Sequence, residues 1–343
     1  MILYITCKPA FYKVLLFNEI NKREPITVIY TSRDPNADGR NNDFNITSTG
    51  QGYEINYTPI YLDNVSTKKR LKQIRKIYRS QKWREVIIGG WDVIENLFLA
   101  MISSKKHNAI VCESSIYESI VTGKKGLVKR LILSRFSKVY PTGYMASEIF
   151  HALNFKGRMV TTGGCGILNY TEQPKYEPRQ EVRKFLYVGR LIKVKNLEFL
   201  IKVFNELPNL ELTIIGEGLL EKELKAMAKD NIKFLGYINN KDLPTYYRSN
   251  DVFVLASLSE PWGLVVEEAL NNGTPCLVSD RVGCNRDMVT EKTGLIFGYN
   301  DEQSLKDAIK KITDIDFYNS LREGVSEMDF KERVRNQVEA YFQ

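Results

Sequence analysis

The chain has 343 residues, of which 43% are hydrophobic and 26% charged, and its net charge is +8. That length exceeds one ordinary core and fits two domains, and the mixture excludes a disordered, fibrous or low-complexity chain. The basic excess is confined to one half: residues 1–170 hold 25 Lys and Arg against 13 Asp and Glu, whereas the remainder holds 24 against 28, which suggests an anionic partner for the first half, either nucleic acid or a membrane surface.

The opening MILYIT is apolar but too short for the core of a signal peptide, and it reads as a first strand. Strands are expected near 2–6, 26–31, 85–88, 109–112 and 138–140. They alternate with helix-like segments, which argues for a mostly parallel sheet with crossover helices. Ligands of such sheets sit beyond the carboxyl ends of the strands, so Lys8, residues 89–91 with Trp91, and Glu113 with the serines after it should border a cleft. The stretch 33–52 is polar, rich in Asn and Gly, and without periodicity: a loop, either a substrate loop or a solvated insertion.

Two stretches of this half are strongly basic. Residues 67–84, TKKRLKQIRKIYRSQKWR, set Leu71, Ile74, Ile77 and Tyr78 on one helical stripe among nine Lys or Arg. Residues 122–138 add a second basic, partly amphipathic stretch. Each reads alone as a core helix with a solvated basic face.

Beyond 162 come three glycines and a polar segment with two prolines, an expected linker at 171–183. KFLYVGR is then a buried strand, and the following NLEFLIKVFNEL has helical spacing, so Arg190 and Lys195 bracket a strand-to-helix turn. LTIIGEG is another strand ending in glycines. Its Gly-x-Gly falls short of a dinucleotide fingerprint because Glu221 occupies the last glycine's place, which disfavours NAD.

The stretch around which the second half is organised is 251–280, DVFVLASLSEPWGLVVEEALNNGTPCLVSD. It reads as a strand (251–256), a loop ending at Glu260, a helix over about 263–272 and a second strand (274–279). Pro261 suits the helix opening and Gly273 its end. Glu260 and Glu268 stand on either side of the helix amino end near Gly263, Leu264 and Val265, where free N–H groups favour a phosphate. Acid, anion hole and acid in series suit a nucleotide sugar; an ordinary βαβ unit with exposed glutamates has the same spacing.

SEPWGLVVEEALNNGTP resembles the Glu-x7-Glu signature of retaining GT-B glycosyltransferases (family 4, group 1), which include sucrose synthase and many bacterial polysaccharide and lipid glycosyltransferases. The resemblance runs over roughly the second half. It implies an α/β GT-B fold, two Rossmann-like parallel-sheet domains facing across a cleft. The implied division is an acceptor-binding domain at 1–170, the linker, a nucleotide-sugar domain at 184–320, and a terminal helix within 321–343 crossing back to the first domain through Phe330, Val334, Val338 and Tyr341. It further implies a metal-independent transfer of sugar from a nucleotide-diphosphate donor. Arg190 and Lys195 would contact the diphosphate, Glu260 the donor sugar, and Glu268 the ribose, with Tyr237 and Ile238 around the base. Lys8, Trp91 and Glu113 become acceptor-side candidates, although the family's glycine pair after the first strand and a later histidine are replaced here by TCKPAFYK and Glu113.

The implied acceptor is a bacterial cell-surface glycan or a lipid-linked oligosaccharide. With a lipid-linked acceptor, the basic stretches are expected to rest on the anionic inner leaflet of a membrane. No nucleic-acid module is recognised. A sugar-nucleotide epimerase, a phosphorylase and a noncatalytic nucleotide-sugar binder share the same signals. Cys7, Cys112, Cys165, Cys276 and Cys284 show no metal-ligand spacing, and only His107 and His151 could assist them, so no metal site and a reducing cytoplasm are expected. Cys284 is read as a buried small residue. Asp314 and Asp316 imitate a metal-binding Asp-x-Asp but are read as a helix boundary.

Overall fold

A computed structural model describes residues 1–31, 54–62, 65–168 and 170–343; the expected loop at 33–52 lies outside the described residues. The chain divides into two compact units, Met1–Asn169 with Lys331–Gln343, and Tyr170–Phe330.

The first unit is built on a seven-stranded sheet of β1 (Ile2–Thr6), β2 (Ile26–Tyr30), β3 (Thr58–Tyr61), β4 (Glu85–Ile88), β5 (Asn108–Cys112), β6 (Lys138–Pro141) and β7 (Arg158–Met159). Every pairing is parallel, and the spatial order is β3-β2-β1-β4-β5-β6-β7. β1, β2, β4 and β5 are buried throughout, as continuous apolar runs covered on both faces by helices must be. The sequence reading had no β3, and it set no bounds to the strand before 162, where β7 lies. β3 is part-exposed and holds Pro59, and β7 has two residues, so neither carries a buried apolar run.

The helix Thr67–Arg79 turns Ile74 into the core, with Leu71, Ile77 and Tyr78 packed beside it. Lys68, Lys69, Lys72, Arg75, Lys76 and Arg79 are exposed. Arg70 differs from them, for it pairs at 2.7 Å with the buried Glu95.

The second unit holds β8 (Lys184–Val188), β9 (Glu211–Ile215), β10 (Ile232–Gly236), β11 (Val252–Leu255), β12 (Cys276–Ser279) and β13 (Gly294–Phe297). These too are all parallel, in the order β10-β9-β8-β11-β12-β13. Residues 171–183 are bound to this unit. Asn271 Oδ1 accepts from the Thr171 amide at 2.9 Å, Asn319 Oδ1 from the Arg179 amide at 2.8 Å, and Arg248 donates to the Glu172 carbonyl at 2.9 Å. Asp314 caps the helix Ile315–Ser326 by accepting from the Phe317 amide at 3.0 Å.

The last helix, Phe330–Ala340, belongs to the first unit from Lys331 onward. Val338, Ala340 and Tyr341 are buried, and the Tyr341 ring lies 4.8 Å from that of Tyr140 on β6. Phe330 instead packs on Tyr170 in the second unit, with ring centroids 5.0 Å apart. The glycines at 164 and 166 allow close packing within the first unit: a Cβ on Gly166 would sit 2.6 Å from the Tyr12 carbonyl oxygen, and one on Gly164 2.8 Å from Gln337 Nε2. Replacing Tyr341 by Ala is expected to destabilise the first unit by about 3–5 kcal/mol, the cost of emptying a buried aromatic site. Denaturant unfolding checks this, and a loss below about 1 kcal/mol would show that the terminal helix is not part of that core.

Candidate active site

In the second sheet the strand order reverses between β8 and β11, neighbours in space whose connections run to opposite sides. Such a reversal opens a crevice beyond the carboxyl ends of the two strands. β8 leads into Gly189 and Arg190, then the short 3-10 turn Lys193–Lys195 and the helix Leu197–Phe204. β11 leads into the loop of Glu260 and the helix Leu264–Asn271. Arg190, Lys195, Glu260 and the helix amino end thus follow the two strands at the reversal.

Lys195 Nζ and Glu260 Oε2 form an ion pair, each side chain 14% exposed. Sequence reading placed the two residues near one ligand but did not anticipate that they meet. Glu260 is anchored through its backbone, which joins Val282 in an isolated parallel bridge; its amide donates to the Arg281 carbonyl at 3.1 Å and its carbonyl accepts from Gly283 at 2.9 Å. The side chain of Arg190 is exposed, and its carbonyl accepts from the buried Tyr187 hydroxyl at 3.0 Å.

The helix begins at Leu264, within one residue of the expected opening, and Pro261 lies three residues ahead of it in the entry loop. Gly263 makes the entry with φ +105, a left-handed conformation that costs a side-chain-bearing residue dearly. The amides of Leu264 and Val265 precede the first bond of the turn, Val266 N–H to Gly263 O at 2.9 Å, so they face outward as orphan donors. Trp262 does not line this end. Its ring is buried and its Nε1 donates to Glu267.

The two adjacent glutamates differ completely. Glu267 is 1% exposed and accepts from Trp262 and, at 2.7 Å, from the Tyr170 hydroxyl. Glu268, about 100° further round the helix, is part-exposed and accepts from the Tyr247 hydroxyl at 3.0 Å. Loss of water around Glu268 raises its carboxyl to about 7; the Tyr247 bond opposes the rise and the Glu267 charge adds to it. Sequence reasoning missed Glu267 and Tyr247. Their signal was the Glu-Glu dipeptide, since neighbours on a helix cannot both face one ligand, and the Leu243 to Tyr247 spacing, which turns one side of that helix inward.

Tyr237 and Ile238 follow β10, two strands from the reversal, with Tyr237 exposed and Ile238 part-exposed. Cys284 is fully buried, and burial pushes its thiol up, which suits a packing residue and not a nucleophile.

The first sheet reverses between β1 and β4. Lys8 follows β1 and Trp91 follows β4, so both flank that reversal. Trp91 packs against Phe150 at 6.3 Å, and Lys129 Nζ lies 5.0 Å from the centre of its ring. Glu113 follows β5, one strand further on, and pairs at 2.8 Å with Lys13. Burial works against the Lys13 charge, yet Glu113 more than offsets it and holds that ammonium above its usual range. This makes Glu113 part of a structural pair.

Two all-parallel Rossmann-like sheets, each with a strand-order reversal, make this a GT-B fold. The lipopolysaccharide outer core galactosyltransferase WaaB shares it with a TM-score of 0.73 at 15% identity, covering 99% of each chain. Residues 170–328 match the family glycosyl transferases group 1. An uncharacterized 41.2 kDa protein in the cps region of Klebsiella pneumoniae is 28% identical over 170 residues, 49% of this chain and 47% of that one. The UDP-Gal:alpha-D-GlcNAc-diphosphoundecaprenol alpha-1,3-galactosyltransferase of Escherichia coli is 33% identical over 142 residues, 38% of this chain and 36% of that one. The aligned part is thus less than half the length of these curated relatives.

Two measurements on the ligand-free protein check the geometry. Lys195→Met and Glu260→Gln are expected each to destabilise the second unit, with the double variant losing at least about 1 kcal/mol less than the sum. Additive losses would separate the two side chains. For Glu268, a folded-state pKa raised from the ordinary carboxyl value of 4.5 to about 7 means that its contribution is fully present below the unfolded pKa and is lost as pH rises through the folded one. Wild type should therefore lose thermal stability relative to Glu268→Gln between about pH 4.5 and 7, and a difference in melting temperature that stays constant across that window would refute the desolvated carboxyl.

Proposed function

We propose that this protein is a retaining glycosyltransferase that moves a hexose from a nucleotide-diphosphate sugar, UDP or GDP, to the hydroxyl of a cell-surface glycan or lipid-linked oligosaccharide. The observation that carries the reading is the grouping of Arg190, the Lys195–Glu260 pair and the outward amides of Leu264 and Val265 at one strand-order reversal. A diphosphate placed there meets a planar guanidinium, an ammonium and a helix amino end. These groups stabilise charge growing on the diphosphate as the anomeric C–O bond breaks and its electron pair departs. The acceptor oxygen bonds to the same carbon, and its proton leaves with the diphosphate.

Lys195 carries three N–H donors, of which the Glu260 pair uses one, so it can hold Glu260 and the phosphates together. Glu260 orients the sugar through the oxygen that Lys195 leaves open. Glu268 takes the ribose hydroxyls, with Tyr237 and Ile238 beside the base. The Escherichia coli relative, whose name includes both a UDP-sugar and a lipid-diphosphate acceptor, supports donor and acceptor classes alike. The basic first unit then rests reversibly on the anionic inner face of a membrane.

A thermal-shift series with UDP-, GDP- and ADP-sugars is expected to raise the melting temperature with at least one donor in a concentration-dependent way. Product analysis should show free nucleoside diphosphate and an α- or β-anomer matching the donor. Glu268→Gln should weaken nucleoside diphosphate binding about tenfold, whereas Glu260→Gln should lower turnover about ten- to hundredfold with that binding unchanged. Turnover should persist in EDTA. Activity abolished by chelation and restored by Mg²⁺ would give the charge-stabilising part to a metal, and donor binding without transfer to any acceptor would leave only a binding protein.

A further inference from the structure

The two basic helices of the first unit have opposite hydrophobic polarity. The helix Thr67–Arg79 hides its apolar stripe in the core. The helix Gly123–Leu133 sends apolar side chains the other way: Leu127, Val128 and Leu131 are 67%, 55% and 72% exposed. At about 100° per residue, Leu127, Leu131 and Val128 fall within an arc of about 100°, the width of an apolar stripe. Gly126 and Leu133 are buried on the opposite side, and Lys129 leans inward to donate to Ser119 at 2.6 Å. The loop before the helix exposes Tyr117 and Ile120 at 46% and 52%. Five of the exposed large hydrophobics among the described residues therefore fall within 117–131. Residues 123–138 contain six Lys or Arg and no Asp or Glu, with Lys124 and Lys125 exposed at the helix start.

We propose that the helix Gly123–Leu133 inserts into an anionic lipid bilayer, Leu127, Val128 and Leu131 entering the acyl boundary while Lys124 and Lys125 meet the headgroup phosphates. Apolar residues flanked by the exposed Lys124 and Lys125 suit a surface offering both hydrocarbon and negative charge. A second copy fits worse, because a two-fold contact through this face would bring like charges together. The inference deepens the membrane reading given above and rests on it. It also places the membrane near the expected acceptor edge, for the loop leading to this helix leaves the carboxyl end of β5 and Lys129 touches Trp91.

The test labels position 127 with an environment-sensitive fluorophore through Cys7→Ser/Leu127→Cys, since Cys7 is the exposed native cysteine and the other four are buried. Phosphatidylglycerol vesicles should shift the emission to the blue, and phosphatidylcholine vesicles or a label placed through Arg75→Cys should not. Leu127→Ser/Val128→Ser/Leu131→Ser should lose about tenfold or more of the vesicle partition of wild type, with unchanged thermal unfolding and donor binding. Lys68→Ser/Lys69→Ser/Lys72→Ser should weaken the partition at low salt only, and a residue of wild-type binding should survive about 0.5 M salt, where charge is screened. If wild type sediments with anionic vesicles while the label at 127 stays unchanged, or the triple serine variant sediments equally, insertion is overturned and the electrostatic reading stands. No sedimentation under any condition overturns both. A blue shift without vesicles that follows protein concentration, with a dimer on sizing, overturns the proposal in favour of self-association.

Discussion

The reversal of strand order between β8 and β11 is the constraint on which the candidate site depends. In a parallel sheet every connection must cross over a face, and two neighbours whose crossovers diverge leave their carboxyl ends uncovered. That gap is where a turn can present Arg190 and Lys195 while the next strand presents Glu260. The backbone tolerates no bulk around it. A Cβ on Gly283 would lie 1.9 Å from the Pro261 carbonyl oxygen, so the loop after β12 is pressed directly against the Glu260 loop. The position of the carboxylate is thereby set by main-chain packing, and Lys195 compensates its charge.

The helix after β11 needs a second device, because its eight residues contribute little stability by themselves. Glu267 provides it. A carboxylate that is almost wholly buried is tolerated only when hydrogen-bonded, and Trp262 from the entry loop and Tyr170 from the start of the unit supply the donors. The helix is thus fixed in rotation, which sends Glu268 toward Tyr247 and the part-exposed side. One glutamate is held so that the next can be presented.

The parts of this arrangement legible in the sequence were those written locally. Strands β1, β2, β4 and β5 were visible because they are continuous apolar runs, and the strand, loop and helix around Glu260 and Glu268 because their punctuation lies within 30 residues. β3 was invisible because it is part-exposed and interrupted by Pro59. The Lys195–Glu260 contact was not legible either: 65 positions separate the partners, and their meeting follows from β8 and β11 being neighbours, which no local pattern encodes. The segment 171–183 read as a linker because it follows three glycines and is polar with two prolines. Its order comes from Asn271, Asn319 and Arg248 reaching its backbone, and side chains that bond irregular main chain leave no repeat to detect.

Periodicity also leaves the direction of an amphipathic helix open, and the two basic helices show what decides it. In Thr67–Arg79 the apolar residues fall on one stripe and base fills the remaining circumference, so only one orientation hides hydrocarbon from water. In Gly123–Leu133 the apolar residues Leu127, Val128, Leu131, Ile132 and Leu133 spread around the helix, and more than one orientation buries part of them. The small residue settles the choice. A Cβ on Gly126 would lie 2.1 Å from the Val121 carbonyl oxygen, so the preceding loop folds against the first turn only on the glycine side. Ile132 and Leu133 follow that side into the core, while Leu127, Val128 and Leu131 are carried to the surface. Their exposure is a consequence of how the loop seats the helix, and it costs about 25 cal/mol for each Å² of apolar surface left in water, a cost that a hydrocarbon surface would remove.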